Sequence, residues 1–465
     1  MNLLESSHRQ YRQTLILGLI NSCGKLYPQE QLKISYSILD GIYCEFENSL
    51  VSVREVNRIE EELKAWVNAD QPITFQSGEE DGFFHCVANG KTIKSLFPPF
   101  QQSGPIYPFR LIHYPPGFIL LFSNPNNPEE LAPFVPPEKL TATFRETQRW
   151  GENLHLSEVK DINQIIQEHR SQELICLAEA LHEKKVSLVA DRILEQRKNV
   201  KVILISGPSS SGKTTFAQRL ATQLRVNGLR PVALSLDNYF CNREDTPKDA
   251  EGHPDFEALD ALDLPLLNLH LQALIQGKEI ECPIYDFETG QRKSKGLKMQ
   301  LSDDDILVME GIHGLNPRLL SSLDRNHIFR IYVSALFQLN IDPYNRIPTT
   351  EVRLIRRLVR DDKFRGISSS NTLIQWASVR RGENTNIFPY QEEADIMFNS
   401  SLLYELNALR SYAEPLLVSI PKEHPYYSTA SHLLRLLAHF DPLDTTKIPF
   451  NSILREFIGG GIYSY

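Results

Sequence analysis

One stretch of the sequence has the residue types and spacing of a phosphate-binding loop. It reads Gly207, Pro208, Ser209, Ser210, Ser211, Gly212, Lys213, Thr214, which fits the pattern G-x-x-x-x-G-K-[ST], and Thr215 follows it. Glycines and small serines let the backbone curl until its N–H groups converge on phosphate oxygens at the positive end of the next helix. In this pattern Lys213 reaches the β- and γ-phosphates, and the Thr214 hydroxyl ligates Mg²⁺. Residues 207–215 are therefore predicted to bind a nucleoside triphosphate, ATP or GTP, together with Mg²⁺.

The residues around this stretch favour the same interpretation. An apolar run at 202–205 precedes it, and Phe216, Leu220 and Leu224 follow at four-residue spacing. The first pattern is typical of a buried strand, and the second of a helix with one buried face. The alternative is a glycine-rich turn between a strand and a helix that binds no nucleotide.

Two acidic residues follow apolar runs further along the chain. Asp237 comes after the run 232–236, and Glu310 comes after the run 306–309. Ligands bind at the carboxyl ends of parallel strands, where both acids would lie. Asp237 could accept the proton of an attacking hydroxyl, hold Mg²⁺ through water, or simply form a turn. Glu310 has the position of an acid that holds Mg²⁺ or its waters beside Thr214.

An arginine-rich segment comes next. Arg353, Arg356, Arg357 and Arg360 share one face of a predicted helix, which is followed by Arg365. Between residues 346 and 381 there are nine Lys and Arg against three Asp and Glu. This excess predicts a lid whose guanidinium groups, with Arg360 and Arg365 as catalytic candidates, stabilise a transferring phosphoryl group. The alternative is a solvated basic face that pairs with acids elsewhere.

The elements that carry these residues predict an α/β fold. Near-continuous apolar runs at 202–205, 232–236, 306–309, 328–333 and 396–398 alternate with helical patterns, which is typical of a parallel sheet flanked by helices. Residues 1–130 instead predict a smaller α+β domain, with helices near 15–25 and 53–67 and strands near 32–39, 42–46, 83–88, 108–113 and 118–122. The expected division is 1–130, a linker with helices at 131–197, a kinase-like domain at 198–440, and a docking tail at 441–465.

Composition limits the function classes. The 465 residues carry a net charge of −9, which gives no general attraction to nucleic acid or anionic lipid. The six cysteines form no C-x-x-C pair, and no apolar run approaches the ~20 residues of a spanning helix. We expect a cytoplasmic protein that acts on a small molecule, with no membrane or nucleic-acid partner.

Residues 198–400 resemble the uridine kinase/phosphoribulokinase family. The resemblance rests on the phosphate loop, Asp237, residues 255–263, residues 283–287 with Arg292, Glu310-Gly311-Ile312, Arg360-Asp361 and Arg365-Gly366. It implies transfer of the ATP γ-phosphate to a nucleoside 5′-hydroxyl, with Asp237 as base. It also implies that Glu257, with Asp255 as a neighbouring candidate, holds the ribose hydroxyls. Tyr285 and Asp286, with Arg292, fall where the family contacts the nucleoside.

One position departs from that family. Uridine–cytidine kinases carry a base-contacting histidine four residues after Asp286, whereas this chain has Gly290. Glycine offers no side-chain hydrogen bond, so the acceptor stays open. Three hypotheses follow. The protein is a nucleoside kinase, a kinase of another small alcohol such as a sugar phosphate or a pantothenate-like compound, or a non-enzymatic nucleotide-gated sensor or RNA-associated protein. Family members are often oligomers, so a homo-oligomer is expected by analogy.

The first region resembles the second accessory domain of threonyl- and alanyl-tRNA synthetases, which hydrolyses mischarged tRNA. The resemblance rests on Lys25-Leu26-Tyr27-Pro28, residues 39–46, and Ser103-Gly104 leading to residues 109–111. That family uses an H-x-x-x-H helix and a C-x-x-x-H segment to bind metal. Here His8 is followed by Arg12, and Ser95 and Pro99 take the other two positions. Because these residues cannot replace a Cys/His set, we expect the fold without the editing chemistry.

Overall fold

The chain forms two compact units that interleave along the sequence. The computed structural model describes residues 3–78, 81–104, 106–124, 127–131, 133–248, 252, 254–286, 289–321 and 323–463. The first unit comprises Met1–Ser171, Phe337–Val352 and Leu406–Asp444, and the second comprises Gln172–Leu336, Arg353–Glu405 and Thr445–Tyr465.

The first unit begins with residues 1–171, which contain helices α1–α4 and strands β1–β9. They are α1 (Leu3–Leu26), β1 (Leu32–Ile38), β2 (Gly41–Phe46), α2 (Val53–Asn68), β3 (Thr74–Ser77), β4 (Phe84–Ala88), β5 (Lys91–Ser95), β6 (Arg110–Tyr114), β7 (Gly117–Leu121), β8 (Ser123–Asn124), β9 (Asn127–Leu131), α3 (Glu138–Asn153) and α4 (Val159–Gln167). Strands β1, β2, β7 and β6 form an antiparallel sheet in that order. Helix α2 starts with a capping box, in which the Ser52 hydroxyl and the Glu55 carboxylate each accept from the other residue's backbone N–H.

The second unit contains a central sheet flanked by helices. Its elements are α5 (Ser171–Glu195), β10 (Val202–Ser206), α6 (Lys213–Val226), β11 (Arg230–Ser235), α7 (Leu264–Ile275), β12 (Ile280–Cys282), β13 (Tyr285–Asp286), β14 (Gln291–Arg292), β15 (Leu297–Met299), β16 (Asp305–Glu310), β17 (Ile328–Ser334), α8 (Thr349–Arg365), α9 (Ser369–Asn386) and β18 (Ile396–Asn399). Helix α12 (Arg455–Ile458) also belongs to this unit, whereas α10 (Glu405–Val418), apart from its first residue, and α11 (Tyr427–Ala438) belong to the first unit.

The central sheet has five parallel strands in the order β11, β16, β10, β17, β18. Every residue of β10 and of β17 is buried, because helices cover both faces. The predicted α/β class and all five predicted strands are confirmed. The strand order also places β10 and its following loop in the middle of the sheet, next to β16.

Two later segments of the chain belong to the first unit. They are residues 337–352, which lie within the expected domain 198–440, and residues 406–444, which begin in that domain and end in the expected tail. Buried polar contacts tie them there: the Asn340 side-chain amide donates to Ile34 O, and Asn345 Nδ2 donates to Lys94 O. Helix α3 also occupies part of the segment expected to be an irregular linker.

Within the described part of the chain, no helix is both long and apolar enough to cross a membrane.

Candidate active site

The phosphate-binding loop joins β10 to α6, as its sequence predicts. Gly212 has φ +85°, the left-handed conformation that glycine adopts without strain, and it turns the chain into α6. Lys213 is buried, and its ammonium donates to Gly207 O at 3.0 Å and to Pro208 O at 3.1 Å. The lysine therefore lies folded back over the loop that it would serve when a triphosphate binds.

Sheet register brings the two predicted acids to this loop. Glu310 pairs with Ile205 of β10 on one side and with Ser235 of β11 on the other. Its Oε1 accepts a hydrogen bond from the Ser235 hydroxyl at 3.3 Å. Asp237 lies two residues after Ser235, in a short 3₁₀ helix. Lys213, Asp237 and Glu310 thus lie together at the carboxyl edge of the sheet.

Burial and mutual repulsion shift the charges of this group. Burial raises the pKa of Asp237, and the nearby charges of Lys213, Arg365 and Arg360 oppose the shift. Burial, with the neighbouring Asp237 carboxylate, raises the pKa of Glu310 to about 7. Burial also lowers the pKa of Lys213, which Glu310 and Asp237 partly restore. Two carboxyl groups this close favour a cation between them.

Three arginines of the predicted helix face donate hydrogen bonds to the phosphate-binding loop. Arg353 donates to Ser209 O at 3.0 Å, Arg357 donates to Ser209 Oγ at 2.9 Å, and Arg356 donates to Ser210 O at 3.4 Å. Arg353 also pairs with Glu383, and Arg356 pairs with Glu405 at 2.6 Å, all four side chains being buried. Arg357 pairs with Asp361 at 3.1 Å, so each of these three arginines has an acidic partner, and the lid stays a prediction.

Arg360 and Arg365 are differently placed. Both ion-pair with the buried carboxylate of Asp361, at 3.0 Å and 3.7 Å, and both lie close enough to Asp237 for their charges to oppose the rise of its pKa. The charge of Arg360, followed by burial, lowers the pKa of Arg365 to about 10. The two candidates for stabilising a transferring phosphoryl group therefore lie beside the candidate base.

The ribose candidates lie near the same loop. Glu257 has a buried Oε2 without a hydrogen-bond partner among the described residues. Burial, followed by repulsion from Glu383, raises its pKa to about 7. Arg357 and Lys213 oppose this shift, so Glu257 is within electrostatic range of the phosphate loop. Asp255 accepts a hydrogen bond from Glu257 N at 3.1 Å and so shapes the turn that presents Glu257.

The remaining acceptor candidates have local structural partners. Arg292 donates to Asp263 at 3.0 Å, to Phe240 O and to Tyr239 O, so its guanidinium is engaged in the fold. Asp286 Oδ1 accepts from Thr289 N at 3.2 Å, and the Tyr285 ring packs against Phe240. Phe287 of the predicted motif lies outside the described residues.

The backbone conformation at position 290 favours glycine. Its φ is +71°, and a methyl group added there would lie 2.6 Å from the Arg243 Nε atom. A histidine at this position would be strained by this backbone conformation, and the Arg243 side chain would have to move to make room for it.

Two functional carboxylates were missed by sequence reasoning. Glu383 accepts a hydrogen bond from Ser209 N at 3.0 Å, while Arg353 and Arg380 hold its pKa down against the effect of burial. Glu456 accepts from Thr215 N at 3.1 Å and from Thr215 Oγ1 at 2.9 Å. The available signals were weak: Glu383 follows an Arg-Arg-Gly sequence, and Glu456 is the only acid after residue 444.

Comparison with known proteins agrees with this geometry. The Phosphoribulokinase / Uridine kinase family matches residues 202–403. A uridine kinase of Lactobacillus helveticus is 31% identical over 198 residues, which cover 42% of this chain and 84% of that protein. A uridine kinase of Deinococcus deserti is 30% identical over 197 residues, which cover 42% of this chain and 86% of its own length. The chain belongs to the phosphoribulokinase/uridine kinase family.

Family membership makes the second unit a P-loop kinase, a phosphotransferase. A solved structure from Bacillus stearothermophilus, described as a possible uridine kinase, is 21% identical, with a TM-score of 0.32 and coverage of 46% of this chain and 97% of that chain. The family match ends at residue 403, so the segment 445–463 that carries Glu456 lies beyond it.

Proposed function

We propose that this kinase transfers the γ-phosphate of ATP to the 5′-hydroxyl of a nucleoside of the uridine or cytidine type. The observation that carries the proposal is the grouping of Lys213, Asp237 and Glu310 where β10, β11 and β16 end. Phosphoryl transfer needs positioning and charge stabilisation more than covalent chemistry, and this grouping supplies both.

Each residue has a defined part in the proposed reaction. The oxygen of the acceptor hydroxyl attacks the γ-phosphorus, its proton passes to the Asp237 carboxylate, and ADP leaves. Lys213 turns from the loop carbonyls to the β- and γ-phosphates. Arg360 and Arg365 stabilise the negative charge of the phosphoryl group in flight.

Magnesium fits the donor set. The described residues contain no group of three or more His, Cys, Asp or Glu that could hold a metal alone. Mg²⁺ in kinases typically uses one or two protein oxygens and takes its other ligands from phosphates and waters. The Thr214 hydroxyl and the Glu310 carboxylate are such oxygens, and bound Mg²⁺ would neutralise phosphate charge.

Two observations support a nucleoside as the acceptor. The relatives described above are uridine kinases. Glu257 is a buried carboxyl near the phosphate loop, with an oxygen that has no partner among the described residues. A carboxylate that binds two adjacent hydroxyls would satisfy that oxygen and recognise ribose. Gly290 and Arg243 leave the identity of the base as the point to be tested.

The test is ADP release with a panel of nucleosides and control alcohols at fixed ATP and Mg²⁺. We expect at least one pyrimidine nucleoside to stimulate turnover, and its 5′-deoxy analogue to give none. Stimulation by a sugar phosphate or a pantothenate-like alcohol, with none by any nucleoside, would replace this proposal with another alcohol kinase. Nucleotide binding without turnover on any alcohol would point to a sensor.

For the first unit we propose a synthetase accessory-type fold without its metal chemistry. The support is residue identity: His8 lies on α1 with Arg12 one turn later, and Ser95 ends β5. Stoichiometric zinc in the purified full chain, lost on changing His8 to alanine, would contradict this proposal.

A further inference from the structure

The C-terminal segment, residues 445–463, is folded onto itself by one arginine. The Arg455 guanidinium donates to the carbonyls of Thr445, Ile448, Pro449 and Gly459. The apolar side chains on either side of Arg455 are buried, and they are Ile453, Leu454, Phe457 and Ile458. This segment is thus a defined, packed structure and not a loose tail.

The C-terminal segment packs against the phosphate-binding loop of the same unit. A methyl group at Gly212 would lie 3.0 Å from Ile453 Cγ2, so the segment covers the turn into α6. The Arg356 guanidinium, which also binds the loop, lies 5.0 Å from the centre of the Phe457 ring. Glu456 is almost fully buried, with only 6% of its surface exposed, and its Oε2 accepts two hydrogen bonds from Thr215.

Thr215 is the third residue of α6, and its N–H belongs to the set that has no partner within the helix. In a P-loop these N–H groups cradle the α- and β-phosphates of the nucleotide. The Glu456 carboxylate has the charge and hydrogen-bonding capacity of a phosphate oxygen pair, and it uses the same donors. A carboxylate and a phosphate cannot share these donors without strong repulsion.

We propose that the C-terminal segment is an autoinhibitory strap, in which Glu456 occupies phosphate donors of the loop until the nucleotide displaces it. The inference concerns the nucleotide half of the site and not the acceptor, so its tests need no acceptor. A failure of the nucleoside proposal would appear in the acceptor panel and leave these tests unchanged.

The first test removes the charge and keeps the shape. In Glu456→Gln the side chain still fits, but it no longer offers an anion to Thr215. Because a hydrogen bond to a charged group is stronger than one to a neutral group, the Kd for ATP is expected to fall about tenfold. The matched control is Glu423→Gln, an exposed acid of the first unit, whose Kd should equal that of the wild type. An unchanged or higher Kd in Glu456→Gln would overturn the proposal.

The second test uses the unaltered chain. Amide hydrogen exchange of residues 452–459 is measured without ligand, with ATP, and with adenosine, which has no phosphate. Displacement predicts faster exchange with ATP and no change with adenosine. Unchanged or slower exchange with ATP would show that the strap stays in place when nucleotide binds, and would overturn the proposal whatever the variant does.

Discussion

Asp237 and Glu310 show why a catalytic acid can be predicted from sequence when a strand delivers it. Each follows a mostly apolar run, and parallel strands end at one edge, so the side chains after them converge. Glu383 and Glu456 reach the same loop from α9 and from the C-terminal segment. No repeating pattern links such distant residues to the loop, so these two contacts become visible only in the structure.

Lys213 is the residue whose loss should matter most. Lys213→Ala removes the cation that would neutralise the β- and γ-phosphates in a buried site. We expect the turnover rate to fall by about 10²–10³-fold or more, and ATP to bind less tightly. Turnover by coupled ADP release and binding by calorimetry check this. Lys278→Ala, an exposed lysine, is the control and should behave as the wild type. Turnover within a few-fold of the wild type in Lys213→Ala would exclude this role.

Asp237→Asn separates catalysis from nucleotide binding. The amide has the same shape but cannot accept the proton of the acceptor hydroxyl, so turnover should fall about 10²–10⁴-fold. ATP binding should be retained, because the change removes no phosphate contact. Single-turnover kinetics and ATP titration measure the two effects. Asp304→Asn changes an exposed acid before β16 and serves as the control. Near-normal turnover in Asp237→Asn would exclude Asp237 as the base.

At the scale of elements, the strands were easier to predict than their connections. Parallel strands that are buried on both faces, such as β10, have near-continuous apolar runs, and the five strands of the sheet were predicted from runs of this kind. Helix α3 was missed because prolines precede it and its buried residues are few. Helix α8 was predicted, but the ionic partners of its arginines were not. The partners of Arg353 and Arg356 come from α9 and α10, at separations of 30 and 49 residues.

The pairing of α8 with α10 should contribute strongly to stability. Arg356 and Glu405 are both fully buried, and Glu405→Ala would leave the guanidinium without its counter-charge. Removing one partner of a buried ion pair typically costs about 3–5 kcal/mol. Chemical unfolding of the full chain should show a loss of this size. Glu195→Ala, an exposed acid near the end of α5, should change stability by less than about 0.5 kcal/mol. Equal losses in the two variants would contradict a stabilising pair.

At the scale of the whole molecule, the interleaving of the two units was the least predictable feature. Composition changes near residue 131 and the strand pattern beginning near 202 suggested consecutive domains. Residues 337–352 and 406–444 belong to the first unit, and they contact each other through His432 Nε2 and Glu351 Oε2 at 2.9 Å. Such pairs depend on the folded arrangement of distant segments, and local periodicity carries no information about them.

The pH dependence of the free energy of unfolding reflects all ionisable groups of the molecule, and Glu257 should contribute measurably to it. Its pKa rises from 4.5 to about 7 on folding. Between these values the folded chain keeps a proton that the unfolded chain releases. The unfolded state then binds fewer protons, so stability falls as pH rises from about 4.5 to 7 and this contribution stays constant above that range.

Glu257→Gln removes this titration. The difference in thermal unfolding midpoint, variant minus wild type, should therefore increase between pH 5 and pH 7.5, because ionisation penalises only the wild type. Differential scanning calorimetry without nucleotide measures it, with Glu423→Gln as a variant whose difference should stay flat. A constant difference for Glu257→Gln would mean that Glu257 ionises as easily in the folded protein as in water. The site would then lack the buried carboxyl from which ribose recognition is inferred.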